Sequence, residues 1–154
     1  MKKNLLIDFP SLIFLGAITS LSLPPYNYLI INFLTFSLFF IFLIKRLDHY
    51  KNLKFFFLYG WFFGFGYFIT NLYWIPISLS YDQNFKFLIP LALFLIPAFL
   101  SIFYGLISFF FVILKPKSIV SSFFLFALMF GLLEFIRGSI LTGFPWNLIA
   151  YSFS

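Results

Sequence analysis

Cysteine is absent from the 154 residues, which excludes disulfides, thiolate metal sites and a cysteine nucleophile within them. Histidine is nearly absent. The single His49 cannot assemble a metal site, and neither an HExxH nor a GxxxxGKS/T pattern occurs. No cofactor and no metal are implied. Charge is scarce as well: 9% of residues are charged, against about 25% in soluble domains. That is too little polar surface to cover even a small globule in water. What fills the sequence instead is apolar. Hydrophobic residues make up 63% of it, 29 of the residues are Phe, and the mean hydropathy is +1.07. Roughly 20 apolar residues cross a bilayer, so the chain has room for about five spans and for no soluble domain.

The apolar runs are separated by short polar punctuation, at about residues 5–23, 28–44, 55–80, 87–114 and 118–138. Pro24, Pro25 and Asn27 favour a turn between the first two. The charged stretch 45–54 closes the second, the loop Tyr81 to Asn84 follows the third, and Lys115-Pro116-Lys117 ends the fourth. At 28 residues the fourth run exceeds what a bilayer needs, and Pro90 and Pro97 are its candidates for a kink. Hydrocarbon leaves no partner for an open strand, and the alternation of a barrel is missing. The expected fold is therefore all-α: a multi-pass transmembrane helical bundle of about five spans, with residues 139–154 as a loop on the outer side.

A net charge of +6 would suggest nucleic acid in a soluble protein; here it reports orientation. With the N-terminus inside, Lys2, Lys3, Lys45, Arg46, Lys51, Lys54, Lys115 and Lys117 all lie on inner segments, and only Lys86 and Arg137 on outer ones. Eight against two predicts the N-terminus in and the C-terminus out, with Tyr73, Trp74 and Tyr81 at the outer interface. The start of the chain also has signal-peptide features, Lys2-Lys3 before a short apolar core. Pro24-Pro25 is a poor cleavage context, and removing this span would reverse the later loops.

Few residues carry chemistry. Glu134 and Arg137, three apart at the end of the fifth run, share a helical face and can pair. Ionisable groups in a membrane segment default to a functional hypothesis. The alternative is a snorkelling Arg137 neutralised by Glu134. Beyond them, Gly143 and Pro145 forbid a regular helix, while Phe144 and Trp146 are large rings at headgroup depth. Such a loop can grip a phospholipid or a lipid-modified peptide, with Arg137 toward phosphate and Thr142 adding a hydroxyl, or act as an ordinary interfacial anchor. In the third run Gly60 and Gly64 form a GxxxG, expected to pack against another helix. Asn71 is expected to hydrogen-bond a neighbouring helix. No catalytic constellation is present: there is no Ser-His-acid set, no carboxylate pair and no thiol.

Taken together, Pro24-Pro25-Tyr26, the block from Gly60 to Gly66 running into Asn71-Leu72-Tyr73-Trp74, and above all Glu134-Phe135-Ile136-Arg137-Gly138 followed by Leu141 to Trp146 resemble apolipoprotein N-acyltransferase. The last pair of motifs is the most specific. The resemblance covers nearly the whole chain but only the amino-terminal membrane part of the family. It implies a bacterial inner-membrane protein whose family moves an acyl chain from a phospholipid to the N-terminal diacylglyceryl-cysteine of a lipoprotein. It also implies a periplasmic nitrilase-like domain with a Glu-Lys-Cys triad. No residue here matches that triad, and Glu134 belongs to the membrane motif. The expectation is a membrane-domain fragment that is inactive alone. The alternative is a noncatalytic multi-pass protein that binds lipid or assists assembly. The partners implied are membrane phospholipid, a lipoprotein and the missing nitrilase-like domain, with no nucleic acid.

Overall fold

The computed structural model describes residues 2–47, 52–140, 148, 149 and 152, with side chains from Leu6 onward. Its elements are helical throughout. Helix α1 is Lys2–Thr19, continued by a 3-10 turn at Ser20–Ser22. Helices α2 (Leu29–Leu47), α3 (Leu53–Asn71), α4 (Trp74–Leu79), α5 (Ile89–Leu114) and α6 (Ile119–Ile140) follow, with a second 3-10 turn, Gln83–Leu88, before α5. Four stretches are long and apolar enough to cross a membrane: Leu29–Leu47, Leu53–Asn71, Gln83–Leu114 and Ile119–Ile140. The first apolar helix, Leu6–Ser22, is shorter. The chain is thus an all-α bundle of four to five membrane-crossing helices.

Local chemistry explains the boundaries. Between α1 and α2 the chain turns through a cis Pro24–Pro25 bond and through Asn27, whose φ of 55° lies in the left-handed region that Asn tolerates. The Tyr28 N–H donates to the Leu21 carbonyl and closes that turn. Asn52 begins α3 by accepting the Lys54 N–H at 3.0 Å, and Asp82 accepts the Asn84 N–H at 2.9 Å. The third apolar run is one stretch in sequence but two helices in space, because α3 ends at Asn71 and the short α4 carries the chain on from Trp74. Helix α5 runs unbroken from Ile89 to Leu114. Pro90 sits in its first turn, where no N–H is needed, and Pro97 is buried inside it.

The bundle has two kinds of interface. Helix α3 lies at the centre of the first, against α1 on one side and α5 on the other. A Cβ added to Gly60 would stand 2.2 Å from the Tyr104 carbonyl oxygen, and one on Gly64 2.8 Å from the Tyr104 Cβ. On the opposite face, a Cβ on Gly66 would stand 2.0 Å from the Ile13 oxygen, and one on Gly16 2.0 Å from the Phe63 oxygen. The glycine-rich block therefore serves two neighbours at backbone contact. The second interface is made of rings. Phe36, Phe39 and Phe40 of α2 reach Phe126 and Phe130 of α6 edge-on or tilted, with centroids 4.8–6.0 Å apart. Phe39 also stacks on Phe63 at 4.3 Å. Outward, the surface is hydrophobic all round: Phe14, Phe33, Leu95, Phe124 and Phe135 are each at least half exposed. Only a hydrocarbon surrounding accommodates such a belt without aggregation.

Candidate functional site

The ionisable groups of α6 are turned into the bundle. One terminal nitrogen of Arg137, Nη2, donates to both carboxylate oxygens of Glu134, at 2.8 and 2.9 Å. Arg137 has no exposed surface, and its guanidinium carbon lies 4.9 Å from the centre of the Phe68 ring of α3, a cation–π contact. The i,i+3 spacing and the burial of the guanidinium make this ion pair a charge-assisted unit. Breaking one partner of such a buried pair costs about 3–5 kcal/mol. Tyr67 and Tyr104 are buried beside it. The buried Tyr104 hydroxyl makes no hydrogen bond among the described residues.

Glu134 has a second task. Its Oε2 accepts the backbone N–H of Ile149 at 3.0 Å. The carbonyl of the same Ile149 accepts the Ser152 hydroxyl at 2.7 Å. Ser152 Oγ in turn accepts from the Asn32 amide of α2 at 2.6 Å, and Asn32 Oδ1 accepts the Ser22 hydroxyl at 2.8 Å. A continuous polar chain thus runs from the end of α1 through α2 to α6. Leu148 packs beside it over Gly138, where an added Cβ would stand 3.2 Å from the Leu148 Cδ1.

Two concavities flank this chain. A cleft of about 340 Å³ opens between α2 and α6, walled by Phe33, Phe36, Phe123, Phe126, Ala127 and Phe130, with Asn32 and Ile149 among its lining. Its cause is the ring-mediated interface, which holds the two backbones apart. A second cleft, of about 610 Å³ and mixed polarity, lies where the ends of α1 and α3 meet. Ser20, Pro24, Pro25, Tyr26, Thr70, Asn71, Tyr73 and Trp74 border it.

The structure brings Glu134 and Arg137 together and places them inside the bundle, where sequence placed Arg137 toward headgroups. The physical reason is that Phe68 and the Glu134 carboxylate together solvate the guanidinium. Gly60 and Gly64 face α5. The Asn71 amide donates to the Tyr67 carbonyl of its own helix at 2.8 Å and borders the mixed cleft. Thr142, Gly143, Phe144 and Trp146 lie outside the described residues. Sequence reasoning missed Asn32, Ser22 and Ser152, although a lone Asn within an apolar run is the signal for an interhelical hydrogen bond. It also missed a cluster at the other end of the bundle. There Asp8, buried in α1, pairs with Arg46 of α2 and accepts the Tyr59 hydroxyl of α3 at 3.3 Å.

Comparison with known proteins adds a family. The profile described as apolipoprotein N-acyltransferase N-terminal domain matches residues 15–154. An apolipoprotein N-acyltransferase from Rhizobium rhizogenes is 38% identical over 146 residues, which is 88% of this chain and 26% of the relative. One from Brucella melitensis is 36% identical over 143 residues, 89% of this chain and 27% of the relative. One from Rickettsia prowazekii is 43% identical over 100 residues, 62% of this chain and 19% of the relative. The chain spans about a quarter of the length of the first two relatives.

Proposed function

Because this chain belongs to the apolipoprotein N-acyltransferase N-terminal domain family, we propose that it is the membrane part of a lipoprotein N-acyltransferase of the bacterial inner membrane. Its work is to hold the lipid substrates, a phospholipid acyl donor and a diacylglyceryl-cysteine lipoprotein, for a nitrilase-like catalytic domain. The observation that carries this reading is the Glu134–Arg137 pair near the C-terminal end of α6, buried and tied to Ile149. An ion pair inside a membrane bundle is expensive to build, and this one fixes both ends of the segment that joins α6 to Ile149. In that segment Thr142, Gly143, Phe144 and Trp146 are the proposed lipid contacts, since aromatic side chains favour the membrane interface. Arg137 and Glu134 act from below as positioning residues. The 154 residues contain no thiol for a thioester intermediate, so acyl transfer needs the catalytic domain.

The test is a chimera in which this chain replaces the matching segment of the Rhizobium rhizogenes relative, expressed in an acyltransferase-depleted strain. The expected result is N-acylated lipoprotein from the chimera and none from the 154 residues alone. Within the chimera, Trp146→Ala is expected to cut acylation at an unchanged protein level. A chimera that accumulates in the membrane and acylates nothing overturns the reading, as does acylation by the isolated chain.

A further inference from the structure

The polar chain from Ser22 through Asn32 to Glu134 bears on the segment proposed to contact lipid, and the inference drawn from it rests on that reading. Ile149 is held on both sides of its residue. Its N–H goes to Glu134 of α6, and its carbonyl goes, through the Ser152 hydroxyl, to Asn32 of α2. Asn32 is 5% exposed and uses both ends of its amide, accepting from Ser22 and donating to Ser152. The contact to Ser152 spans 120 residues of sequence, so nothing local demands it. Asn32 and Ile149 also line the phenylalanine-walled cleft between α2 and α6. Among the described residues, Ile149 and Ser152 thus form a strap tied to both walls of that cleft.

A buried amide in an apolar span is costly to leave unsatisfied, and Leu would fit the same helix without that cost. We propose that Asn32 is a positioning residue. Through the Ser152 hydroxyl its amide ties Ile149, the described residue at which the proposed lipid-contacting segment ends, to the α2 wall of the cleft. Glu134 supplies the second clamp from the opposite wall. The two clamps act on different atoms of Ile149 and come from different helices, α6 and α2. Each is needed to fix the strap relative to both walls.

The cysteine-free sequence makes the test direct. In the purified chain in detergent micelles, Leu148→Cys reports on the strap, and Lys86→Cys, in the 3-10 turn before α5, reports on a second site outside it. Maleimide labelling rates are measured in each background. Asn32→Leu and Ser152→Ala are each expected to speed labelling at position 148 about five-fold, the population change that follows from one net hydrogen bond. Labelling at position 86 is expected to stay unchanged. Because both variants break the same contact, the double variant should label no faster than the faster single one. Unchanged labelling at position 148 overturns the inference, as do additive effects or equal acceleration at both sites. If Asn32→Leu does not accumulate, Ser152→Ala alone decides, since it removes a single hydroxyl. No step involves lipid or acyl transfer, so the clamp can fail while the functional reading stands, and the reverse.

Discussion

The Glu134 side chain accepts the backbone N–H of Ile149, fifteen residues further along the chain, with the same oxygen that also accepts from Arg137. One carboxylate thereby neutralises a buried cation and ends a connecting segment. The two tasks separate by mutation. Glu134→Gln keeps an acceptor for Ile149 but strands a buried guanidinium, and should lower the thermal unfolding midpoint in detergent by the equivalent of about 3–5 kcal/mol. The double variant Glu134→Gln with Arg137→Gln should recover much of that loss, because no charge is left uncompensated.

The Asp8–Arg46–Tyr59 cluster predicts an asymmetry. The Asp8 side chain is 4% exposed and that of Arg46 22%. Arg46→Leu leaves a buried carboxylate whose remaining partner among the described residues is the Tyr59 hydroxyl, whereas Asp8→Asn leaves an arginine whose long stem can turn its charge outward. Arg46→Leu should therefore be the more destabilising, by about 1–3 kcal/mol beyond Asp8→Asn, as read by the same thermal midpoints.

Glycines of one chain should respond oppositely. Gly60→Ala drives a methyl into the Tyr104 backbone and should cost about 1–3 kcal/mol. Gly131, in α6, has nothing within 4 Å of an added Cβ. There the substitution should be neutral or stabilising by up to about 1 kcal/mol, since Ala is the better helix former. Equal responses at the two positions would contradict the α3–α5 contact.

The basic residues predict an orientation. Alkaline phosphatase fused after Ser154 is expected to be active and fused after Lys51 inactive, from the eight-to-two bias of Lys and Arg. The reverse pattern would invert the topology.

Much of the fold was legible because the bilayer imposes it. Long apolar runs between charged punctuation have no other solution, and α2, α5 and α6 start and stop close to those marks. The division of α3 from α4 was not legible, since Leu72 and Tyr73 break no helix by type. It reflects where the chain leaves the crowded α1–α3–α5 contact. The Glu134–Arg137 pairing could be read from a spacing of three. Its burial could not, because Phe68, which covers the guanidinium, lies on a different helix. Contacts such as Asn32 to Ser152 leave no periodic trace, since nothing in sequence relates residues that distance brings together only after folding.

The contrast between glycine-lined and phenylalanine-lined interfaces gives the bundle unequal mechanical stiffness. Backbones in contact at Gly16, Gly60, Gly64 and Gly66 have no slack, because any approach meets a carbonyl at once. Rings meeting edge-on can rotate about χ1 and χ2 and still touch, so α2 and α6 can slide past one another at nearly constant contact. Strain from a bilayer that thins or bends would therefore concentrate along the α2–α6 seam and leave the α1–α3–α5 half undeformed. Any change in gap between those two helices would be felt first by the strap that bridges them.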